Sequence, residues 1–283
     1  MSPHLDDAVS ACGGLIAKLR AENAHVELIT FFQKRPNLDE IPRLMRVFAD
    51  YTQRLEENRK ALELLDVENV TLEFFERAFV KPYLKTLLQV FFSPPGGSSQ
   101  YLDFDKLVEA IRQIANQNPD DESRFYFPMG IGNHYDHTRL FFAAIKVMEE
   151  TQRFRSFRFY EDAYCLMGNA ILKKHWIARQ YLNEKSKDLS RTSLKSRVMS
   201  FALKTVMDAK SIDAEMKAIS EKYAWKVQRE QVGEYLDKKM AALFFYTSQI
   251  KALGGERMVK KLYPKYHEFW GQAEPYWYVE QEH

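Results

Sequence analysis

Cysteine, net charge and long apolar runs are all scarce in this sequence. Only two of its 283 residues are cysteine, whereas disulfide-stabilised secreted domains are short and rich in cysteine. Basic residues number 41 and acidic residues 39, so the charge balance indicates neither nucleic acid nor an anionic membrane as a partner. No apolar run approaches the roughly 20 residues that cross a bilayer, and the N-terminal residues lack the basic and apolar regions of a signal peptide. We therefore expect a cytoplasmic protein.

Helix-like and strand-like segments alternate through the first 168 residues. Residues 26–32, VELITFF, are rich in the β-branched and aromatic residues that favour strands. The predicted strands are 26–32, 70–75, 124–127 and 157–160, and the predicted helices are 8–24, 44–65, 102–116 and 138–151. Strands that alternate with helices predict an α/β fold, in which a parallel sheet carries helices on both faces.

The pattern changes after residue 168, where the chain becomes strongly charged and mostly helix-like, with a last short strand expected at 277–279. We predict one domain over residues 1–283, with an α/β core at 1–168 and a mostly helical portion at 169–283 that packs on it. The Lys- and Glu-rich stretches at 185–195 and 217–230 are interpreted as solvated helix faces rather than binding patches.

Two polar segments at predicted strand-to-helix junctions carry the candidate chemistry. The first is SPHLDD at residues 2–7, followed by the Gly13-Gly14 pair, and the second is PMGIGNHYDH at residues 128–137. Ligands of an open parallel sheet bind outside the carboxyl ends of its strands. Both segments would lie at that edge and could meet there.

Three residues of these segments are candidate metal ligands. His4 and Asp7 are three positions apart in a turn, so both side chains can face one point, and His137 could add a third ligand. Two nitrogens and one carboxylate, with one position left for water, are typical of a catalytic zinc site. Fe²⁺ could occupy the same ligands, because metal selectivity depends on geometry and availability.

The residues beside these ligands could supply acid–base chemistry. A metal lowers the pKa of its water from about 15.7 toward about 7, and Asp6 could take the proton of that water. His134 could stabilise the oxyanion or protonate the leaving amine, and Asp136 could orient a histidine from outside the ligand set. An Asp-Asp pair before a helix is also common capping chemistry, and Cys12 is interpreted as a core residue.

Together the two segments resemble the PIG-L family of N-acetylglucosaminylphosphatidylinositol de-N-acetylases and its bacterial LmbE-like relatives. The family pattern is Pro-His-Pro-Asp-Asp with a downstream Gly-Gly, then His-x-Asp-His, and this chain has PHLDD, GG and HYDH. Three further segments are similar to family patterns: RLEE at 54–57, FYEDAY at 159–164, and the stretch 239–253 that contains YTSQ.

The resemblance implies a Rossmann-like sheet and a zinc-dependent enzyme that removes an N-acetyl group from a glucosamine-type sugar conjugate. It implies zinc on His4, Asp7 and His137, Asp6 as the general base and His134 as the histidine that stabilises the oxyanion. Arg54 matches a position that can contact substrate. An ion pair that ties its helix to the core is an equally good interpretation.

The chain departs from the family pattern at two places near its start. Leu5 replaces the usual proline, which removes one source of rigidity but no ligand. The family also places an apolar strand directly before Ser-Pro-His, whereas here three residues precede His4, fewer than the roughly 5–6 residues of a usual strand. We therefore expect that a truncated first strand continues upstream of Met1.

Two alternatives to this function remain open. Hydrolysis of an N-acyl group on another glycoside or natural product would use the same site with a different acyl pocket. A non-catalytic relative that binds a metal or a sugar is the second alternative, although a binding module has no need for the base Asp6. A homo-oligomer is compatible with the sequence.

Overall fold

The computed structural model describes residues 1–43, 46, 49–81, 95–120, 122–162, 172–184, 210–252 and 255–280. The second cysteine, Cys165, lies outside these residues, as do the charged stretch 185–195 and the last two residues of the FYEDAY segment. Helices and strands are numbered here in chain order within the described ranges.

The described elements alternate between helix and strand, as expected for a mixed α/β protein. The helices are α1 Asp7–Ala21, α2 Tyr51–Leu65, α3 Phe104–Gln117, α4 Tyr135–Thr151, α5 Ala178–Glu184, α6 Lys210–Lys222, α7 Leu236–Leu243, α8 Thr247–Ala252 and α9 Glu256–Phe269. The strands are β1 Glu27–Thr30, β2 Glu68–Thr71, β3 Phe125–Pro128, β4 Phe157–Tyr160, β5 Ala224–Gln231 and β6 Ala273–Glu280. No helix within the described ranges is both long enough and apolar enough to traverse a lipid bilayer.

The chain divides into two compact units, each built from two separate stretches. The first unit comprises Met1–Leu87 and Arg229–Glu274, and the second comprises Leu88–Gln228 and Pro275–His283. The expectation of a single domain with a core at 1–168 stays a prediction.

The first unit contains the parallel pair β1–β2, in register from Glu27 opposite Glu68 to Thr30 opposite Thr71. Ser2 forms a parallel bridge with Thr30, and its backbone N–H donates to the Ile29 carbonyl at 2.7 Å. The segment that carries the first polar motif therefore lies beside the end of β1.

Helix α1 packs closely on the later part of the first unit. A Cβ on Gly13 would lie 2.8 Å from Lys239 Cγ, and one on Gly14 would lie 2.9 Å from Val232 Cβ. Only glycine permits this approach, since real Cβ contacts are longer than these distances. The Gly-Gly pair therefore lies within α1, as the predicted helix 8–24 implies, and allows close packing against Lys239 and Val232.

A buried ion pair fixes the middle of α1. Lys239 Nζ lies 2.6 Å from Glu274 Oε1, and both residues are fully buried. The Glu274 carboxylate also accepts from the backbone N–H groups of Gly14 at 3.0 Å and Leu15 at 2.8 Å, and Lys239 donates to the Ala11 carbonyl at 3.2 Å. Every charge is thus hydrogen-bonded, which a buried ion pair requires.

The second unit is built around β3 and β4, which pair in parallel from Phe125 opposite Phe157 to Pro128 opposite Tyr160. β4 pairs with β6 in the antiparallel direction, and the strand order is β3-β4-β6-β5. Helix α4 packs on α3 and on β3, over a core of buried phenylalanines that includes Phe127, Phe141 and Phe159. The described sheets therefore contain both parallel and antiparallel pairs.

The mixed α/β class is confirmed, whereas the Rossmann-like arrangement and the strand upstream of Met1 stay predictions. The interpretation of 217–230 as a helix face is wrong for its second half, because α6 ends at Lys222 and β5 begins at Ala224. In β5 the buried Trp225 alternates with the exposed Lys226, and charged side chains suit an edge strand. Their density made the sequence look helical.

Several boundaries also differ from the prediction. Helix α2 begins at Tyr51, and the Asp50 side chain caps it by accepting from Gln53 N at 3.2 Å. In the earlier part of the predicted helix 44–65, residues 44, 45, 47 and 48 lie outside the described residues. β2 begins before the predicted strand 70–75, and β6 is longer than 277–279. The predicted strand 157–160 coincides with β4.

Candidate metal centre

His4 and Asp7 lie in the turn that leads from the Ser2 bridge into α1. Asp7 Oδ2 lies 3.0 Å from His4 Nδ1 and accepts from the His4 backbone N–H at 2.9 Å. The Ser2 hydroxyl braces the same turn, since it donates to the His4 carbonyl at 2.5 Å and accepts from Ala8 N at 3.0 Å. The turn therefore holds a nitrogen and a carboxylate oxygen close together, as the sequence predicts for two ligands.

Asp6 stands directly before α1, but its side chain makes no capping hydrogen bond to that helix. Burial, followed by the negative charge of Asp7, raises its pKa from 3.8 to about 6, while Arg54 and His4 oppose the rise. A carboxylate whose pKa lies near the working pH is well matched to general base catalysis. Capping alone therefore does not account for Asp6.

Arg54 and Glu76 form a buried ion pair beside His4. Arg54 Nη1 donates to Glu76 Oε1 at 2.8 Å, and Tyr51 donates its hydroxyl proton to the same oxygen at 2.6 Å. Burial lowers the pKa of Arg54, but the electrostatic effects of Glu76, Tyr51 and Asp6 outweigh burial. The net pKa is raised above its usual value, so the guanidinium stays charged. Glu76 Oε2 lies 4.0 Å from His4 Nε2, so each ring nitrogen of His4 has a carboxylate nearby.

His137 lies in the first turn of α4 in the second unit, and only 2% of it is exposed. Its Nδ1 is hydrogen-bonded to Asp162 Oδ1, and Asp162 Oδ2 accepts from Ile131 N at 2.7 Å. Histidines that bind metals usually donate their other ring N–H to such a carboxylate or carbonyl. The nitrogen that would face a metal is therefore Nε2.

His134 is the residue that caps α4. Its Nδ1 accepts from the backbone N–H of Asp136 at 3.3 Å, and the rings of His134 and His137 are 4.7 Å apart between centroids. A neutral imidazole that accepts at one nitrogen carries its proton on the other. The hydrogen-bond network therefore assigns an N–H donor to His134 Nε2, as stabilisation of an oxyanion would require.

Asp136 is fully buried, and its Oδ1 lies 3.7 Å from Arg139 Nη1 in an ion pair. The orientation of a histidine by Asp136 stays a prediction. Gly130, with φ of 75°, adopts the left-handed conformation in the loop before α4, and a Cβ there would lie 3.0 Å from Thr138 Cγ2. Glycine thus allows the chain to turn from β3 into α4 within a few residues.

Each unit assembles its own share of the predicted residues. The first brings together His4, Asp6, Asp7 and Arg54, and the second brings together His134, Asp136 and His137. Sequence reasoning assigned no role to Glu76 or Asp162. Asp162 is the second residue after β4 and Glu76 lies shortly after β2, so position near the carboxyl end of a strand is the signal that could have found them.

Residues 1–148 match the family model PIG-L, described as GlcNAc-PI de-N-acetylase. The chain belongs to the PIG-L family. The matched region contains both polar segments, so the resemblance inferred from the sequence is confirmed. No curated protein matches the chain.

Three solved structures to which the chain is similar are described as deacetylases. The zinc-inhibited form of teicoplanin deacetylase Orf2 is 18% identical, with 99% of this chain and 97% of that chain covered and a TM-score of 0.63. A deacetylase–teicoplanin complex is 18% identical, with 100% and 97% covered and a TM-score of 0.61. The A40926 pseudoaglycone deacetylase Dbv21 is 19% identical, with 99% and 95% covered and a TM-score of 0.58. At these identities the likeness establishes the fold.

Proposed function

We propose that this PIG-L protein is a metal-dependent hydrolase that removes the N-acetyl group from an N-acetylglucosamine-type sugar conjugate. The observation that carries the proposal is the turn at residues 4–7, where His4 Nδ1 and Asp7 Oδ2 lie 3.0 Å apart and the carboxyl group of Asp6 stands beside them. Family membership and the deacetylase activity named for proteins of the same fold support it.

His4, Asp7 and His137 are the proposed ligands of one divalent metal, either Zn²⁺ or Fe²⁺. The donor chemistry fits, because His4 Nδ1 and Asp7 Oδ2 are 3.0 Å apart and the Nδ1 of His137 is engaged by Asp162, which leaves one nitrogen and one oxygen in the first unit and one nitrogen in the second. Nitrogen and carboxylate ligands suit either metal. When bound, such a metal polarises the amide carbonyl and acidifies a water molecule.

The chain's own residues would then divide the proton transfers. Asp6 accepts a proton from the attacking water, whose oxygen adds to the amide carbonyl carbon, and the Nε2–H of His134 donates to the oxygen on which charge develops. The C–N bond breaks, and the proton held by Asp6 passes to the leaving nitrogen. Acetate and the free amino sugar are the products. Arg54 is proposed to contact the sugar while Glu76 holds its guanidinium in place.

A screen for acetate release tests this function. Purified protein would be stripped of metal, reloaded separately with Zn²⁺ and Fe²⁺, and assayed on N-acetylated sugars, nucleotide sugars and glycolipid headgroups. Both metals are needed because one protein of this fold is known in a zinc-inhibited form. We expect acetate release that a chelator abolishes.

The same screen separates the alternatives. Activity confined to N-acylated glycoside natural products would favour the deacylase alternative, for which the solved teicoplanin complex gives a starting substrate. Stoichiometric metal binding without release of any acyl group would favour a non-catalytic relative. The absence of both metal binding and acetate release would contradict the proposed function.

A further inference from the structure

Asp162 is the partner of His137, although no motif of the sequence assigned it a role. It is the second residue after β4 and is 2% exposed. Its Oδ1 is hydrogen-bonded to His137 Nδ1, a contact between residues that are 25 positions apart in the chain. A carboxylate accepts hydrogen bonds and donates none, so the shared proton belongs to Nδ1 of His137.

The other oxygen of Asp162 binds the loop that leads into α4. Oδ2 accepts from the Ile131 backbone N–H at 2.7 Å, and Ile131 lies between Gly130 and Gly132, which have φ values of 75° and 92°. One carboxylate therefore fixes both the ring of His137 and the backbone of the loop just before it.

The neighbouring carboxylate shows that this placement is specific. Glu161 is also buried, but it accepts from Trp277 Nε1 at 3.2 Å. Two adjacent buried acids thus have different partners. Asp162 is hydrogen-bonded to His137 of the segment HYDH, whereas Glu161 is hydrogen-bonded to Trp277, so the two acids form a natural test and control.

We infer that Asp162 is the positioning residue for His137. It holds the imidazole in the tautomer with the proton on Nδ1. The lone pair of Nε2 is then available to bind the metal. This inference rests on the proposed function for its metal, but the tautomer itself is a property of the metal-free chain. Removing such an outer carboxylate typically weakens metal affinity by about 10–100-fold.

The first experiment records the ¹⁵N–¹H correlations of the histidine rings in the metal-free protein, with His137→Gln used to assign the His137 signals. We expect His137 to carry its proton on Nδ1. A proton on Nε2 would overturn the inference, and this result needs neither a variant of Asp162 nor a bound metal.

The second experiment compares Asp162→Asn with Glu161→Gln. Metal affinity would be measured by competition with a chromophoric chelator, and folding by circular dichroism and thermal unfolding. We expect Asp162→Asn to weaken affinity by about 10–100-fold and to change the His137 tautomer, while Glu161→Gln stays within about threefold of wild type in affinity, the Trp277 bond being retained. Equal affinities for the two variants would contradict the inference.

If Asp162→Asn does not fold, Asp162→Glu supplies the comparison, since it keeps the charge but displaces the oxygen from Nδ1 by one methylene. It should bind metal more weakly than wild type, and unchanged affinity would contradict the inference. Should the wild-type protein bind no metal at all, the proposed function fails while the tautomer experiment still decides the role of Asp162.

Discussion

His4 in the first unit and His137 in the second are held by different kinds of contact. His4 is 8% exposed, and its near partner Asp7 is three residues away on the same turn. His137, in helix α4, is more deeply buried, and its partner Asp162 lies just after the end of strand β4. The first histidine is thus placed by local chain geometry and the second by tertiary packing.

This difference shows where each part of the site is vulnerable. In the first unit the acids Asp6 and Asp7 are partly exposed, so substitutions there should change chemistry more than stability. In the second unit His134 and His137 are themselves buried, and the unit has a core of buried phenylalanines. Substitutions of these histidines should therefore affect both chemistry and stability. Four experiments can break or sharpen this comparison.

The largest expected effect is on catalysis, from Asp6→Asn in the first unit. The asparagine cannot accept the proton from water, so kcat for acetate release should fall by about 10²–10⁴-fold, whereas the Tm should change little. Asp237→Asn on α7, an exposed acid, is the control for loss of one negative charge. Wild-type kcat in Asp6→Asn would remove Asp6 from the mechanism.

The next effect contrasts the two histidines in stability. His137→Ala takes the histidine partner from the buried Asp162 carboxylate, which should cost about 3 kcal/mol of unfolding free energy. His4→Ala leaves Asp7 with the backbone N–H of residue 4 and should cost about 1 kcal/mol. Urea unfolding of both variants measures the difference. Equal losses would mean that the two histidines are held alike.

A smaller effect tests the close packing of α1. In Gly13→Ala the new Cβ would lie 2.8 Å from Lys239 Cγ, so we expect a loss of about 1–3 kcal/mol from overpacking. Gly97→Ala is the control, because a Cβ there meets nothing within 4 Å and its backbone is extended, with φ of −170°. Its unfolding free energy should stay within about 0.5 kcal/mol of wild type.

The smallest effect is a pH dependence from buried neutral histidines. Burial lowers the pKa of His175 in the second unit from 6.5 to about 4, and burial likewise lowers that of His267 in the first unit to about 3. Below about pH 6.5 these two histidines therefore bind protons in the unfolded chain but stay neutral in the folded chain. Stability is unaffected above that pH and falls as the pH drops from 6.5 towards 4.

Replacement of His175 isolates one of these two contributions. Between pH 7.5 and 5.5 we expect wild type to lose about 1 kcal/mol more unfolding free energy than His175→Gln. Denaturant titrations at the two pH values measure this difference. Identical pH dependences would show that His175 does not stay neutral in the folded chain.

Local features of the molecule could be predicted from the sequence. The bounds of β4 coincide with prediction because aromatic residues dominate that segment, and the His4–Asp7 turn follows from a spacing of three. The partners that come from distant parts of the chain could not be predicted. Glu76 lies in no segment singled out in the sequence, and Asp162 lies in FYEDAY without an assigned role. The folding of the chain after β2 and β4 brings them to the histidines.

Strand β5 shows the opposite error, in which a local signal was misleading. Its charged residues resemble a helix surface, but the buried Trp225 and the pairing available at a sheet edge determine the outcome. Tertiary context overrides intrinsic propensity at such positions. The charge density that suggested a helix is also what keeps an edge strand from pairing with another chain.

The Lys239–Glu274 pair has a consequence for the order in which the chain can fold. Helix α1 is synthesised well before its partner, because the carboxylate that accepts from its Gly14 and Leu15 N–H groups lies 260 and 259 positions further along the chain. The family match ends at residue 148, but the first unit closes only with residues up to Glu274. A ribosome must therefore add 260 residues beyond Gly14 before the helix that follows His4 can reach its final packing.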